Sequence, residues 1–331
     1  MVLYEIFEAI TRATAESDRP FYSVAAVPGF AGCFIGRDNE DSASILFQVA
    51  TSDRRQQAPL RLANLEVLFG LQCSIKHTGM TSQGAFTVLR CRAIEREIIR
   101  YFFTIGETLL RLLGSNPTPA ALSDAVNRFV IIFQKLQKPP MRSVVGLLGE
   151  LFVIRQSYDS GRMLSAWRAT DNSRFDFSAD DVRIDVKATL GRVRAHTFSY
   201  EQCNPPPGTL ALAASMFVEQ ISGGPSLRNL IEEIEHTIAA SPNLLARFHE
   251  TIAETLGNGL SEAMTFRFDE RLAAASLQYF ELKTIPGIRG ALPVGLSDVH
   301  FRSDLSATAP VSIRDLIEIN SRSASFLELL L

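Results

Sequence analysis

An acid and a lysine two positions apart stand in a segment of alternating residue types, 182–189. On a strand, successive side chains point to opposite faces, so Asp185 and Lys187 would share one face while apolar neighbours fill the other. The polar residues 178–181 are typical of a short turn that closes a hairpin. Such a hairpin would bring Asp176 towards Asp185. The spacing therefore predicts two carboxylates and an ammonium on one patch.

This combination suits magnesium-dependent hydrolysis of a phosphodiester. Mg²⁺ prefers one or two carboxylates together with waters and substrate phosphate. Once bound, it lowers the pKa of water and neutralises charge on the scissile phosphate. Lys187 would position the attacking water or stabilise the transition state by its charge. An Asp-x-Lys pair also occurs on amphipathic strands as a solvated ion pair worth about 0–1 kcal/mol, and that structural alternative stays open.

A second carboxylate-bearing segment lies upstream, in the helix pattern that begins near residue 141. Glu150 stands beside the apolar stripe of this helix and follows two glycines, Gly146 and Gly149. Glycine in a helix interior costs roughly 1 kcal/mol relative to alanine, so close packing against another element would explain both. The carboxylate of Glu150 would then face the sheet. The alternative is a boundary glutamate whose stem packs while its carboxylate reaches water.

Polar and basic side chains follow the strand within 15 residues of Lys187. Such side chains suit contacts with DNA phosphates, although a solvated loop with incidental arginines would look the same. The candidates for DNA contact are Arg192, Arg194, His196, Ser199 and Gln202.

These motifs together resemble a known family. A helix with G-x-x-G-E, then F-D-F, I-D-V-K-A-T and H-x-F-S-x-E-Q, over residues 144–202, is similar to a PD-(D/E)XK family within the restriction-endonuclease-like nuclease superfamily. The resemblance implies an α+β fold with a restriction-endonuclease-like α/β/α core, in which helices flank a four-stranded mixed sheet. Phe175 stands where the motif name has proline, which weakens the motif without removing a ligand.

The resemblance also implies roles for individual residues. Asp176 takes the position of the first acid, Asp185 that of the second, and Lys187 that of the lysine. The two aspartates, with the carbonyl of Val186, would hold Mg²⁺, for which Mn²⁺ could substitute. Glu150 would be the helix carboxylate that assists the metal or orients the lysine.

A similar pattern near the C-terminus is a competing candidate. Asp269 precedes Glu281 and Lys283, again an acid-x-Lys downstream of an aspartate. No glycine-containing helix with a glutamate precedes it, and no comparable basic segment follows. We therefore rank it below the first site.

The composition favours a soluble globular protein of two domains. The chain has 331 residues, of which 46% are hydrophobic and 21% charged, enough for a sizeable core. We expect an N-terminal β-rich module over 1–115, because apolar runs between Gly, Asp, Asn and Ser indicate an antiparallel sheet. A nuclease domain with additional C-terminal helices and strands would fill 116–331.

Other classes of protein are not indicated. No apolar run reaches the roughly 18 residues of a membrane span, and the acidic N-terminus is unlike a signal peptide, so we expect a cytoplasmic protein. There is no G-x-x-x-x-G-K-[ST] loop and no dinucleotide-binding glycine fingerprint. The four cysteines lack zinc-site spacing. The net charge of −3 means that only local basic clusters could bind nucleic acid.

The leading hypothesis is a metal-dependent DNA endonuclease of restriction or defence type. Its substrate would be DNA, and it would work as a homodimer or with partner restriction or defence proteins. No association with a membrane is expected. The alternative is a non-catalytic DNA-binding or assembly subunit that keeps a nuclease fold. Retention of Asp176, Asp185 and Lys187 favours the enzyme, because a degenerate site could lose the lysine. A structural protein with an ordinary ion-paired sheet remains a weaker third hypothesis and predicts no divalent-metal binding.

Overall fold

The computed structural model describes residues 3–12, 20–49, 58–114, 117–169, 174–319 and 323–331. Helices and several sheets are mixed along the chain, so the fold class is α+β. Packing divides the chain into two compact units. The first unit comprises Met1–Met141 and Leu245–Ser261, and the second comprises Arg142–Leu244 and Glu262–Leu331.

The elements before residue 142 form the larger part of the first unit. They are α1 (Leu3–Glu8), β1 (Phe21–Ala26), β2 (Cys33–Asp38), β3 (Ala43–Gln48), β4 (Leu60–Arg61), β5 (Leu65–His77), β6 (Met80–Cys91), α2 (Arg96–Leu113) and α3 (Pro119–Lys135).

The remaining elements lie after residue 142. They are α4 (Val144–Gln156), α5 (Ser160–Ala166), β7 (Phe177–Ala179), β8 (Val182–Thr189), β9 (Ala195–Ser199), α6 (Tyr200–Cys203), β10 (Leu210–Phe217), α7 (Leu227–Thr237), α8 (Pro242–Leu256), α9 (Leu260–Ala263), α10 (Glu270–Ser276), β11 (Gln278–Glu281), β12 (His300–Asp304), α11 (Ile313–Ile319) and α12 (Ala324–Leu327). Short 3₁₀ turns lie at Gly257–Gly259 and Glu328–Leu330.

The sheet of the first unit closes on itself. Its strand order is β1-β2-β3-β6-β5-β4, and β1 also pairs with β5. The β1–β5 pair is parallel, whereas its other pairs are antiparallel, so the antiparallel prediction misses this one pairing. Closure leaves fewer unpaired strand edges. The apolar cluster of this sheet contains Tyr22, Val24, Leu46, Cys73, Ile75, Phe86 and Val88.

The second unit is built on a four-stranded mixed sheet of order β11-β10-β8-β7. The central strands β8 and β10 are parallel, and the outer strands are antiparallel to their neighbours. A separate two-stranded sheet pairs β9 with β12. None of the helices in the described residues has the length and apolar character needed to span a membrane.

Helix α4 packs closely on β8. A Cβ added at Gly149 would lie 2.8 Å from the Cβ of Ala188 and 3.1 Å from a γ-carbon of Val186. At Gly146 the nearest atom is the Oγ of Ser143, at 3.2 Å. Close packing on the sheet therefore explains Gly149 but not Gly146, contrary to the expectation for both.

The opposite face of the sheet carries its own apolar core. Because side chains alternate, Asp185 and Lys187 lie on this face, away from α4. The cluster on this face contains Phe175, Phe198, Cys203, Ala211, Ala213, Phe280, Leu282, Ile285 and Leu305.

Several boundaries differ from those indicated by the sequence. The apolar run 263–268, which by residue type favours a strand, contains the end of α9 and isolated bridges at Arg267 and Phe268. The predicted domain division at residue 115 also differs from the packing units, because α3 belongs to the first unit. The division into 1–115 and 116–331 as functional domains stays a prediction.

Candidate active site

Strand β8 places the acid and the lysine side by side. The Nζ of Lys187 lies 2.7 Å from the Oδ2 of Asp185 and 5.1 Å from the centroid of the Phe198 ring. Asp185 is buried, whereas Lys187 is partly accessible. The ammonium is therefore held between a buried carboxylate and an aromatic face, with one side towards solvent.

The β7–β8 hairpin brings Asp176 to the same strand. Phe177 pairs with Ile184, and the turn between the strands contains Asp180 with a φ of 46°. Asp176 stands in a bend just before β7, and its Oδ2 accepts the backbone N–H of Val186 at 2.8 Å. The carboxylate of Asp176 thus lies next to the residue that separates Asp185 from Lys187.

The backbone of Val186 faces the same edge as Asp176. The carbonyls of Asp181 and Thr189 accept N–H groups at the two ends of β10, so the odd-numbered residues of β8 bond towards β10. Even-numbered residues bond in the other direction, and the N–H and C=O of one strand residue point the same way. The carbonyl of Val186 is therefore directed to the side on which Asp176 binds its N–H.

Glu150 is buried and fully engaged. Its carboxylate accepts the indole N–H of Trp167 at 2.6 Å, and Arg168 donates Nε and Nη2 to it at 3.0 and 2.9 Å. Arg142 is the third residue that donates to it, with its Nη1 at 3.2 Å from Oε1. Glu150 as a whole is only 2% exposed, so the alternative of a glutamate whose carboxylate reaches water is wrong.

Arg142 links Glu150 to Asp176. The same Nη1 that contacts Glu150 lies 2.6 Å from the Oδ1 of Asp176. One guanidinium thus bridges two buried carboxylates, which neutralises part of their charge.

Gln202 binds the oxygen of Asp185 that Lys187 does not contact. Its Nε2 donates to the Oδ1 of Asp185 at 2.9 Å and to the carbonyl of Arg174 at 2.8 Å. Its Oε1 accepts the N–H of Ser199, which completes a capping box at the start of α6. Two of the residues predicted to contact DNA therefore act on the site or on its supporting helix.

The other three residues predicted to contact DNA differ in burial and in their partners. Arg194 is buried, and its Nη1 donates to the carbonyl and Oγ of Ser215 at 2.8 Å. The Nε2 of His196 lies 2.8 Å from the same Oγ. Arg192 is exposed and forms an ion pair with Glu219. Contact with DNA stays a prediction for the five residues, and among them Arg192 is the one on the surface.

Burial sets the protonation of the site. It raises the pKa of the Asp185 carboxyl to about 7; Lys187 opposes this shift, and Asp176 adds to it. Burial also raises the pKa of Glu150. The pKa of His196 is lowered to about 4 by burial, with Lys187 and Arg194 acting in the same direction, so this ring is neutral at pH 7.

The donor set suits a hard divalent cation. The Oδ2 of Asp185 is buried, and the ammonium of Lys187 lies 2.7 Å from it. Among the described residues, no three His, Cys, Asp or Glu side chains form a metal cluster. Two aspartates and a backbone carbonyl would leave positions for water and phosphate, which is the coordination that Mg²⁺ favours.

The competing pattern has a different environment. The Oε1 of Glu281 lies 2.5 Å from Lys283, whose side chain is 70% exposed. Asp269 accepts the N–H of Leu272 and caps α10. These are the contacts of a surface ion pair and of a helix cap.

Comparison with known proteins identifies the family. A family model described as "Putative PD-(D/E)XK family member, (DUF4420)" matches residues 4–306 of the chain. The chain belongs to this family. Neither the curated proteins nor the solved structures gave a match. The resemblance inferred from the sequence motifs is thereby confirmed for this PD-(D/E)XK family member.

Three residues around the motif acids were not indicated by the sequence. Arg142 lies 34 positions from Asp176, and Trp167 and Arg168 lie 17 and 18 positions from Glu150. No short-range spacing connects such pairs. The one indication available was position, since Arg142 immediately precedes Ser143, the N-cap of α4 in this PD-(D/E)XK protein.

Proposed function

We propose that this protein is a metal-dependent DNA endonuclease of restriction or defence type with a restriction-endonuclease-like core. The observation that carries the proposal is the Asp185–Lys187 pair on β8, with Asp176 bound to the backbone between them. The four-stranded mixed sheet and the family membership support the same function.

The proposed metal ligands are the carboxylates of Asp176 and Asp185 and the carbonyl of Val186. A Mg²⁺ or Mn²⁺ ion held there would lower the pKa of a water molecule and neutralise charge on the scissile phosphate. The Oδ2 of Asp185 already pairs with the ammonium of Lys187, so the proposed catalytic cation lies beside a proposed metal ligand.

Lys187 is the proposed catalytic cation. Its ammonium is fixed by Asp185 and by the ring of Phe198, with one side accessible. From there it would orient the attacking water and stabilise the negative charge of the transition state. Glu150 would act indirectly, because it holds Arg142, which in turn contacts Asp176.

The test is cleavage of plasmid DNA, modified and unmodified, with Mg²⁺ or Mn²⁺ and with an EDTA control. We expect Lys187→Ala to abolish cleavage, because the lysine acts mainly in the transition state. Its affinity for DNA should fall only by the contribution of about one phosphate contact. Lys283→Ala is the matched control, since it removes a lysine from the other Asp/Glu-x-Lys pair. It should leave cleavage unchanged.

The opposite results are equally informative. Cleavage by Lys187→Ala at the wild-type rate would contradict the assignment, and loss of cleavage in Lys283→Ala would move the active site to Glu281. The non-catalytic DNA-binding or assembly subunit is supported by one observation: Arg142 already neutralises the carboxylates in the fold. Metal-dependent DNA binding without cleavage of any substrate would favour that second function.

A further inference from the structure

Arg142 occupies an unusual position at the start of α4. It precedes the N-cap Ser143 and lies outside the helix, and its side chain is 44% exposed. Its guanidinium nevertheless reaches two carboxylates that are almost completely buried, Glu150 and Asp176. A partly exposed cation outside regular structure can move without breaking the hydrogen bonds of the helix.

The two carboxylates depend on Arg142 to different extents. Glu150 would keep the indole of Trp167 and the fork of Arg168 if Arg142 moved. Asp176 would keep the N–H of Val186 at Oδ2, but its Oδ1 would lose the contact with Arg142. Departure of Arg142 would therefore free one oxygen of Asp176 and leave Glu150 anchored.

The freed oxygen belongs to the proposed metal ligands. Oδ1 of Asp176 would join the Oδ2 of Asp185, whose partner in the fold is the ammonium of Lys187 at 2.7 Å. A guanidinium bound to Asp176 and a divalent cation bound to the same carboxylate would repel each other strongly at a separation of a few ångströms. The carboxylate of Asp176 therefore cannot bind the guanidinium and the metal ion tightly at the same time.

We propose that Arg142 is an internal cation that occupies the carboxylate site, and that a divalent metal ion displaces its guanidinium from Asp176. Arg142 thus keeps the buried acids paired before metal binds and competes with the metal. The inference rests on the metal site of the proposed function.

The test compares metal affinities of full-length variants by calorimetric titration with Mn²⁺ alone. In Arg142→Met the competing charge is lost and the stem is retained. We expect Mn²⁺ to bind on the order of tenfold more tightly than to wild type, because a charged hydrogen bond no longer has to be broken. Arg155→Met is the matched control, because Arg155 also bridges two acids, Glu233 and Glu270, on the surface. Its affinity should equal that of wild type.

Trp167 provides a second measurement that does not depend on activity. It is the single tryptophan of the chain, and its indole donates to Glu150, which Arg142 also contacts. Displacement of Arg142 should change the emission of Trp167 when Mn²⁺ is added to wild type. In Arg142→Met the guanidinium is already absent, so the change on adding Mn²⁺ should be smaller.

Arg142→Lys covers the case in which the methionine variant does not fold, as checked by circular dichroism. A lysine keeps the charge, but its ammonium is more strongly hydrated and loses more on leaving water for the buried oxygens, so the Mn²⁺ affinity of this variant should lie between those of wild type and Arg142→Met. If wild type binds Mn²⁺ and neither folded Arg142 variant binds it more tightly, displacement is refuted while the proposed function stands. If neither wild type nor any folded Arg142 variant binds Mn²⁺, both proposals fail.

Discussion

The two motif aspartates are held by different partners, although they lie beside the same strand. Asp176 is bound by a guanidinium and a backbone N–H, which satisfy both of its oxygens. Asp185 is bound by the amide of Gln202 at one oxygen and by the ammonium of Lys187 at the other. For Asp185, burial outweighs the ion pair with Lys187 and raises the pKa to about 7.

This difference predicts a pH dependence of metal binding. With a pKa of about 7, Asp185 is largely protonated at pH 6, and a metal ion must displace that proton. We expect Mn²⁺ affinity, measured by calorimetry, to fall by up to about tenfold per pH unit below pH 7. A wild-type affinity that stays constant between pH 5.5 and 7.5 would contradict the assignment of Asp185 as a ligand.

Asp185→Asn is the control for that measurement. The amide cannot ionise, so any remaining Mn²⁺ binding should be weak and should lack this pH dependence.

The raised pKa of Asp185 also has a consequence for the stability of the fold. A carboxyl whose pKa is raised from 3.8 on folding stabilises the fold fully below about pH 4, and this contribution is lost as pH rises through about 7.

At the scale of elements, the site depends on the distance between α4 and β8. The helix carries Glu150, and the strand carries Asp185 and Lys187 on its far face. Gly149 permits the close approach, because its missing side chain leaves room for Ala188 and Val186. Any side chain at this position would push α4 away from the strand whose backbone holds Asp176.

Gly149→Ala should therefore destabilise the protein. The added Cβ would stand 2.8 Å from the Cβ of Ala188, closer than two carbon atoms that are not bonded to each other can approach. Overpacking of this kind costs about 1–3 kcal/mol in the free energy of unfolding, measured by chemical denaturation. Gly146→Ala is the matched control in the same helix, where the gain in helix propensity of up to about 1 kcal/mol offsets the contact with Ser143. Equal losses in both variants would show that packing on β8 is not the cause.

Local patterns predicted the elements better than the contacts between them. The period of two residues was enough to place Asp185 and Lys187 on one face of β8. A period cannot reveal which distant segment covers a strand. The parallel β1–β5 pair and the arginine that bridges Glu150 to Asp176 both depend on such long-range packing.

The same limit of sequence patterns applies to the basic segment after β8, residues 192–202. Its residue types suit phosphate contacts, but the sequence does not show which of them the fold uses internally. Arg194 and His196 both bind Ser215 on β10, and Gln202 binds Asp185. Residue type predicted contacts with DNA phosphates, whereas burial decides which of these residues can reach a substrate.

At the scale of the whole molecule, each compact unit contains a buried histidine. His196 lies in the second unit, and His249, on α8, lies in the part of the chain that packs with the first. Burial lowers the pKa of both rings, to about 4 for His196 and about 3 for His249. Both are neutral in the fold at pH 7, while an unfolded chain would protonate them near pH 6.5.

His249 should therefore make the protein sensitive to acid. A histidine with a lowered pKa stabilises the fold above the unfolded value of 6.5, and this contribution is lost as pH falls towards about 3. Between pH 7 and pH 5 the loss should be about 2 kcal/mol in the free energy of unfolding, measured by urea denaturation. His249→Leu and His249→Asn both remove the titrating ring and should reduce this loss, whatever their stability at pH 7. The exposed His236 on α7 provides the control, and His236→Leu should behave as wild type. If both His249 variants lose as much stability as wild type between the two pH values, acid sensitivity arises from other groups.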